Sequence, residues 1–338
     1  MKIEELEKNL KQEKLECLYL LYGEERFLLE NSLKKIKKNF GELLKGINYV
    51  IIDETNANDI ISNIETPCFG FEKKLMVIKN TGLFKKELKT KKKAEDVLRE
   101  KIVNYINENI EVIKETVVLV FIEQEAEKNS LYELIEKNGI VCNFEHQDQM
   151  KIIARLKGIL AAYKVNAENS TLAYLIENCG TDMQELINET RKLIEYAGEG
   201  NIIEKKDIDE LCNKKVESVI FDLTDKLGQK NTKAAIDILR NLVLSKEPLQ
   251  LILINLYNHF KKLYLVKIAI KNNLDIASSL KLKPNQKFLV GKYKKQAEYF
   301  KEMELRNIIQ KLCDLDYKYK VGLIDLNVGL ESIICAYI

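Results

Sequence analysis

Residues 17–36 read CLYLLYGEERFLLENSLKKI. Cys17–Tyr22 is a continuous apolar run, and residues 24–40 carry a helical pattern, so the chain begins as a strand that turns through Gly23 into a helix. Four more short apolar runs follow: Ile47–Ile52, Leu75–Lys79, Val117–Ile122 and Ile140–Phe144. Helix patterns lie between them at 56–65, 94–108 and 130–139. Ser130 and Glu133 are spaced as a capping box, and Gly139 is placed to close that helix. Strands that are apolar throughout, rather than alternating, belong to a parallel sheet covered on both faces. Residues 1–145 therefore predict a doubly wound α/β domain.

After residue 146 the strand patterns stop. Helical spacing covers Met150–Lys164, Ser170–Asn178, the stretch from a Thr181/Gln184 cap to Tyr196, and Lys205–Lys214, which predicts a small helical domain over 146–213. Residues 214–338 carry only helical patterns, and Leu249–Ala269, apolar on most sides, is expected to run through the centre of that third domain. The reading is an α/β domain followed by two all-α domains.

Lys+Arg (54) and Asp+Glu (52) nearly cancel, so no global basic field advertises nucleic acid and any such contact must be local. The opening MKIEELEKNLKQEK has no apolar core of a secretory signal, and a run such as TVVLVFI is too short to span a bilayer. A cytoplasmic protein with no membrane partner is expected. Seven cysteines without a C-x-x-C pair, beside only two histidines, predict free thiols, with no metal and no cofactor. His146 and His259 have no nucleophile signature beside them, and G-x-S-x-G is absent, so catalysis gains no support.

Three segments invite a functional reading. Asn48–Glu54, NYVIIDE, looks like the magnesium-binding strand end of an ATPase, but a P-loop is missing. The turn after the first strand offers Gly23-Glu24-Glu25 instead, whose carboxylates repel a triphosphate. Asp53 and Glu54 then read as a strand end turning into a loop. Lysine-rich tracts lie at Lys85–Lys93, expected as a loop, and at Lys281–Lys301. In the latter, Lys287, Lys292, Lys294 and Lys295 are candidate DNA-phosphate contacts, with Phe288, Tyr293, Tyr299 and Phe300 between the basic residues. A solvated helix face with its aromatics turned to the core explains the same pattern. The third segment, Ile64–Asn80 (IETPCFGFEKKLMVIKN), sets Cys68, Phe69 and Phe71 around a glycine in a turn, just ahead of a strand.

These residues in this order resemble the delta subunit of the bacterial DNA polymerase III clamp loader. LYLLYGEERFLLENSLKKI is similar to the family's first strand and helix, and Ile64–Asn80 to its segment where a proline precedes two large apolar residues. Cys179–Met183 resembles the family's glycine–glycine–aspartate–leucine helix start. Phe221, Asp222, Leu223, Ala234, Ala235 and Leu239 resemble its third-domain opening, and Asp316, Lys320 and Gly322 its near-terminal pattern.

The resemblance implies an AAA+-like first domain without an ATP site, a small helical lid-type domain and a helical collar for oligomerisation. It also implies a non-catalytic subunit that binds and opens the sliding clamp (beta). Its partners would be the loader ATPases (gamma/tau) and delta prime, with primer–template DNA inside the complex. By position, Thr66, Pro67, Cys68, Phe69 and Phe71 fall in the family's clamp-binding wedge, with Cys68 where a larger apolar residue is usual. The Ser-Arg-Cys triplet that sister subunits use at a neighbour's ATP site is missing. A delta-prime subunit, a nucleic-acid-binding module and an unorthodox NTPase using Asp53 and Glu54 stand as alternatives.

Overall fold

The computed structural model describes residues 1–85 and 94–336, so all of the first lysine tract beyond Lys85 lies outside the described residues. It divides into two units, Met1–His146 and Gln147–Ile338. In the first, the five apolar runs become β1 (Leu18–Tyr22), β2 (Tyr49–Ile52), β3 (Lys74–Lys79), β4 (Val117–Glu123) and β5 (Ile140–Asn143). All neighbours pair in parallel, in the order β2-β3-β4-β1-β5.

Alternate strand residues face opposite layers, and both layers are covered. Leu18, Leu20, Met76, Ile78, Leu119 and Phe121 pack with residues of α3 (Ile60–Glu65), α4 (Ala94–Glu108), α5 (Ile110–Thr116) and α6 (Ser130–Asn138). Tyr19, Leu21, Leu75, Val77, Val118 and Val120 pack with α1 (Ile3–Lys11) and α2 (Arg26–Phe40). Strands covered on both faces leave little room for polar residues, which is why β1, β3, β4 and β5 are apolar without alternation, while the edge strand β2 leaves Ile51 exposed.

The second unit is helical: α7 (Gln149–Ala162), α8 (Asn169–Cys179), α9 (Met183–Ala197), α10 (Lys205–Leu211), α11 (Val216–Gly228), α12 (Thr232–Leu244), α13 (Leu249–Lys271), α14 (Ile276–Ser279), α15 (Leu289–Glu298), α16 (Glu302–Lys320) and α17 (Leu326–Cys335). Strand pairing does not stop at residue 146, since Asn166–Ala167 and Ile202–Ile203 form a two-residue parallel pair. It is too short to show as an apolar run. As expected, α13 is central, burying Ile252, Leu256, Phe260, Leu263 and Val266 in one cluster with residues of α11, α12, α15, α16 and α17. Within this unit, Lys215 N–H donates to the Asn178 carbonyl and Asn285 Nδ2 to Thr181 Oγ1.

Two caps differ from expectation by one residue. Asn129, not Ser130, caps α6, its side chain accepting from Tyr132 N–H. Asp182, not Thr181, caps α9 by accepting from Glu185 N–H. In each, the better acceptor sits beside the expected hydroxyl and takes the free amide of the first turn.

Candidate functional site

Residues 66–73 join α3 to β3 and so lie at the N-terminal edge of the parallel sheet. Thr66 ends α3, its hydroxyl donating to the Ser62 carbonyl at 2.7 Å. Pro67 lacks an amide hydrogen and cannot continue the helix. Gly70 has φ +80, a backbone conformation that costs a side-chain-bearing residue energy. The turn it makes carries Phe69 at its tip, 95 % exposed. Cys68 and Phe71 are half-buried, while Thr66 and Pro67 are exposed. A groove of about 350 Å³ beside the turn is lined by Thr66, Cys68, Phe71, Lys74, Tyr105 and Val112. Val112 is itself 60 % exposed. All five residues singled out in the sequence thus share one short, apolar-tipped ridge.

The brace beneath that ridge is Lys74, which no motif in the sequence marks. Its side chain is buried, and its Nζ donates to the carbonyls of Asn63 and Thr66, tying the end of α3 to the first residue of β3. Burial lowers the pKa of this ammonium from its ordinary value. Carbonyl partners leave no mark in a sequence, so only the fold exposes the role. Lys74→Met is expected to leave both carbonyls without their donor and to cost about 1–3 kcal/mol. A denaturant melt checks this, and an unchanged midpoint would show that the brace carries no energy.

The turn that would hold a nucleotide lies at the other edge of the sheet, after β1. Gly23 has φ +130, and a Cβ there would stand 2.4 Å from the Phe144 carbonyl oxygen. Phe144 N–H donates to the Tyr22 carbonyl, and Glu25 N–H donates to the Phe144 carbonyl at 2.9 Å. The His146 ring faces both carboxylates, with Nε2 2.6 Å from Glu24 Oε2 and Nδ1 3.5 Å from Glu25 Oε2. The α2 N-terminus therefore presents acid where a phosphate would need open amides.

Asp53 cannot rescue this site. It follows β2, the edge strand, three strand spacings (about 14 Å) from β1. Its carboxylate is engaged locally, accepting from Thr55 N–H and Oγ1, which lower its pKa. Glu54 is exposed beside it.

Of the second lysine tract, Lys287, Lys292, Lys294 and Lys295 are all exposed, and Lys292 pairs with Glu177 at 2.7 Å. Tyr293 and Phe300 are buried in the helical core, so two of the four aromatics are unavailable for base stacking. His259 is buried as well, its ring hydrogen-bonded to Gln296, and burial lowers its pKa to about 3. It is a neutral core histidine. Among the described residues, one group could hold a metal: Cys179, Glu189 and Cys212.

Comparison with known proteins adds the following. The family described as "DNA polymerase III, delta subunit" matches residues 19–145, and "DNA polymerase III delta subunit, C-terminal domain" matches residues 217–337. A probable DNA polymerase III subunit delta of Aquifex aeolicus is 29% identical over 314 residues, covering 89% of this chain and 85% of that one. The DNA polymerase III subunit delta of Bacillus subtilis is 24% identical over 330 residues, covering 96% and 93%. A solved structure of a B. subtilis DNA clamp loader delta protein superposes with a TM-score of 0.74 at 22% identity, covering 99% of each chain. At that identity the superposition speaks for the fold.

Proposed function

Since the chain belongs to the DNA polymerase III delta-subunit family, we propose that it binds the sliding clamp through Thr66, Pro67, Cys68, Phe69 and Phe71 and holds it open for loading onto DNA. The observation that carries this reading is the 95 % exposure of Phe69 at the tip of a turn braced from below. An aromatic held out in water is costly unless a partner covers it. A closed clamp must part at one interface before DNA can enter. A ligand that seats only in the parted form shifts the equilibrium toward it by its differential affinity. Burying one phenylalanine is worth about 1.5–3 kcal/mol, so Phe69 can raise the open population by roughly one to two powers of ten. Phe71, next to the tip and half-buried in the same groove, supplies apolar bulk beside the smaller Cys68. Surface plasmon resonance on immobilised clamp tests the reading. Saturable binding by the full chain is expected, and its absence would remove the proposal.

The chain itself performs no catalysis, and the energy for rearrangement comes from the gamma/tau ATPases of the loader. Residues 146–213 act as the lid-type domain and 214–338 as the collar that assembles with gamma/tau and delta prime. Primer–template DNA passes through the complex, where Lys287, Lys294 and Lys295 are exposed to solvent and Lys292 would have to leave Glu177 to touch phosphate. Supporting the non-catalytic reading, Glu24 and Glu25 stand at the α2 N-terminus and Asp53 on the far edge strand. Isothermal calorimetry with Mg-ATP is expected to give no binding heat from the isolated chain, whereas micromolar affinity would overturn this part of the proposal.

A further inference from the structure

We propose that Cys179, Glu189 and Cys212 form a zinc site that joins α8, α9 and α10. The two thiols are 33 positions apart and show no metal-binding spacing, yet the fold brings both sulfurs and a Glu189 carboxylate oxygen within 4.8 Å of one another. In a tetrahedral zinc centre with Zn–S near 2.3 Å, ligand atoms stand about 3.8 Å apart. Closing the triangle around an ion therefore needs only small side-chain rotations. Cys179 and Cys212 are buried at 2 % and 8 % exposure, and the Glu189 side chain is 12 % exposed, which leaves one side for a water ligand.

The surroundings suit a cation. Cys179 is the last residue of α8 and Cys212 directly follows α10, so both sulfurs sit at helix C-termini, where backbone carbonyls favour positive charge. A cation is already recruited there, since Lys192 Nζ lies 2.6 Å from Glu189 Oε2 and donates to the Leu211 carbonyl at 3.3 Å. Asn213 N–H donates to the same Glu189 oxygen at 3.3 Å and orients the carboxylate, as outer-shell donors do at metal sites. Two thiolates and a carboxylate carry three negative charges, of which zinc cancels two, and Lys192 offsets the third. Thiolate ligands select zinc over magnesium or calcium. On binding, each thiol loses its proton to solvent as its sulfur bonds the ion, so two protons are released and no redox change occurs. The ion would cross-link three helices, and so add to their stability.

Cobalt(II), which takes the same tetrahedral geometry, is the probe. Titrated into the reduced full chain, it is expected to give thiolate-to-cobalt charge-transfer and tetrahedral visible bands that saturate at one ion per chain and are bleached by zinc. Cys179→Ser and Cys212→Ser should each abolish the bands, while Cys313→Ser, at an exposed thiol, should leave them unchanged. Loss of even an outer-shell partner costs about 10–100-fold in metal affinity, so Glu189→Gln should weaken cobalt binding by at least about tenfold. A zinc-dependent rise in the melting temperature of the unsubstituted chain gives a readout that does not depend on the variants folding. Three results would overturn the proposal: no saturable bands, bands that survive in the Cys179→Ser/Cys212→Ser double variant, or a thiol titration in denaturant with a chelator that falls two short of seven, which would mark the pair as a disulfide.

Discussion

Phe69→Ala is expected to weaken clamp binding by roughly thirtyfold or more while leaving the melting temperature unchanged. Interface energy concentrates in a few residues, often aromatic, and truncating one to alanine costs at least about 2 kcal/mol. At about 1.4 kcal/mol per tenfold, that converts to the stated loss. The stability half of the expectation follows from the 95 % exposure of the ring: in the free chain its removal opens no cavity. A core phenylalanine would behave in the opposite way, since its truncation costs about 3–5 kcal/mol of stability. Phe121, fully buried in β4, is the internal control for that behaviour. Plasmon resonance on immobilised clamp and a thermal melt of the same variant separate the two. Intact clamp binding would move the proposed anchor elsewhere on the ridge.

The sheet was legible because strands buried on both faces must be apolar throughout, and the five runs each match an observed strand to within two residues at either end. The ridge was legible for the opposite reason: Pro67, Phe69 and Phe71 are the wrong residues for an ordinary surface turn. What escaped notice has physical causes. Only Asn109 separates helix α5 from the end of α4, and α5 runs straight into β4, so its pattern has no clear margins. Residues 1–14 are too polar to stand out as a core element, yet Ile3, Leu6 and Leu10 form the buried stripe of α1. Lys74 escaped because its partners are backbone carbonyls. Cys179, Glu189 and Cys212 escaped because their proximity is set by how three helices pack, which no local spacing encodes. Asp53 does follow a strand end, as read, and strand order disposes of the NTPase alternative: β2 is remote in the sheet from the turn after β1.

Gly23→Ala should produce the reverse of Phe69→Ala. At φ +130 the residue occupies backbone space that a side chain makes costly, worth about 1–3 kcal/mol. The added Cβ also meets the Phe144 main chain at 2.4 Å from its carbonyl oxygen, and that chain is held by its hydrogen bonds to Tyr22 and Glu25. Overpacking of this kind adds about 1–3 kcal/mol, because backbone rather than a flexible side chain must move. At about 2–4 °C per kcal/mol for a unit of this size, the melting temperature should fall by roughly ten degrees. Clamp affinity measured well below the transition should be unchanged, because Gly23 lies after β1 and the ridge before β3, at opposite edges of a parallel sheet. Circular dichroism melts and plasmon resonance on the same preparation make the comparison. A melt that did not move would mean that the Phe144 chain does not fill the turn. A clamp affinity lost together with the melting temperature would mean that the two edges are not independent, and that the turn after β1 governs the ridge before β3.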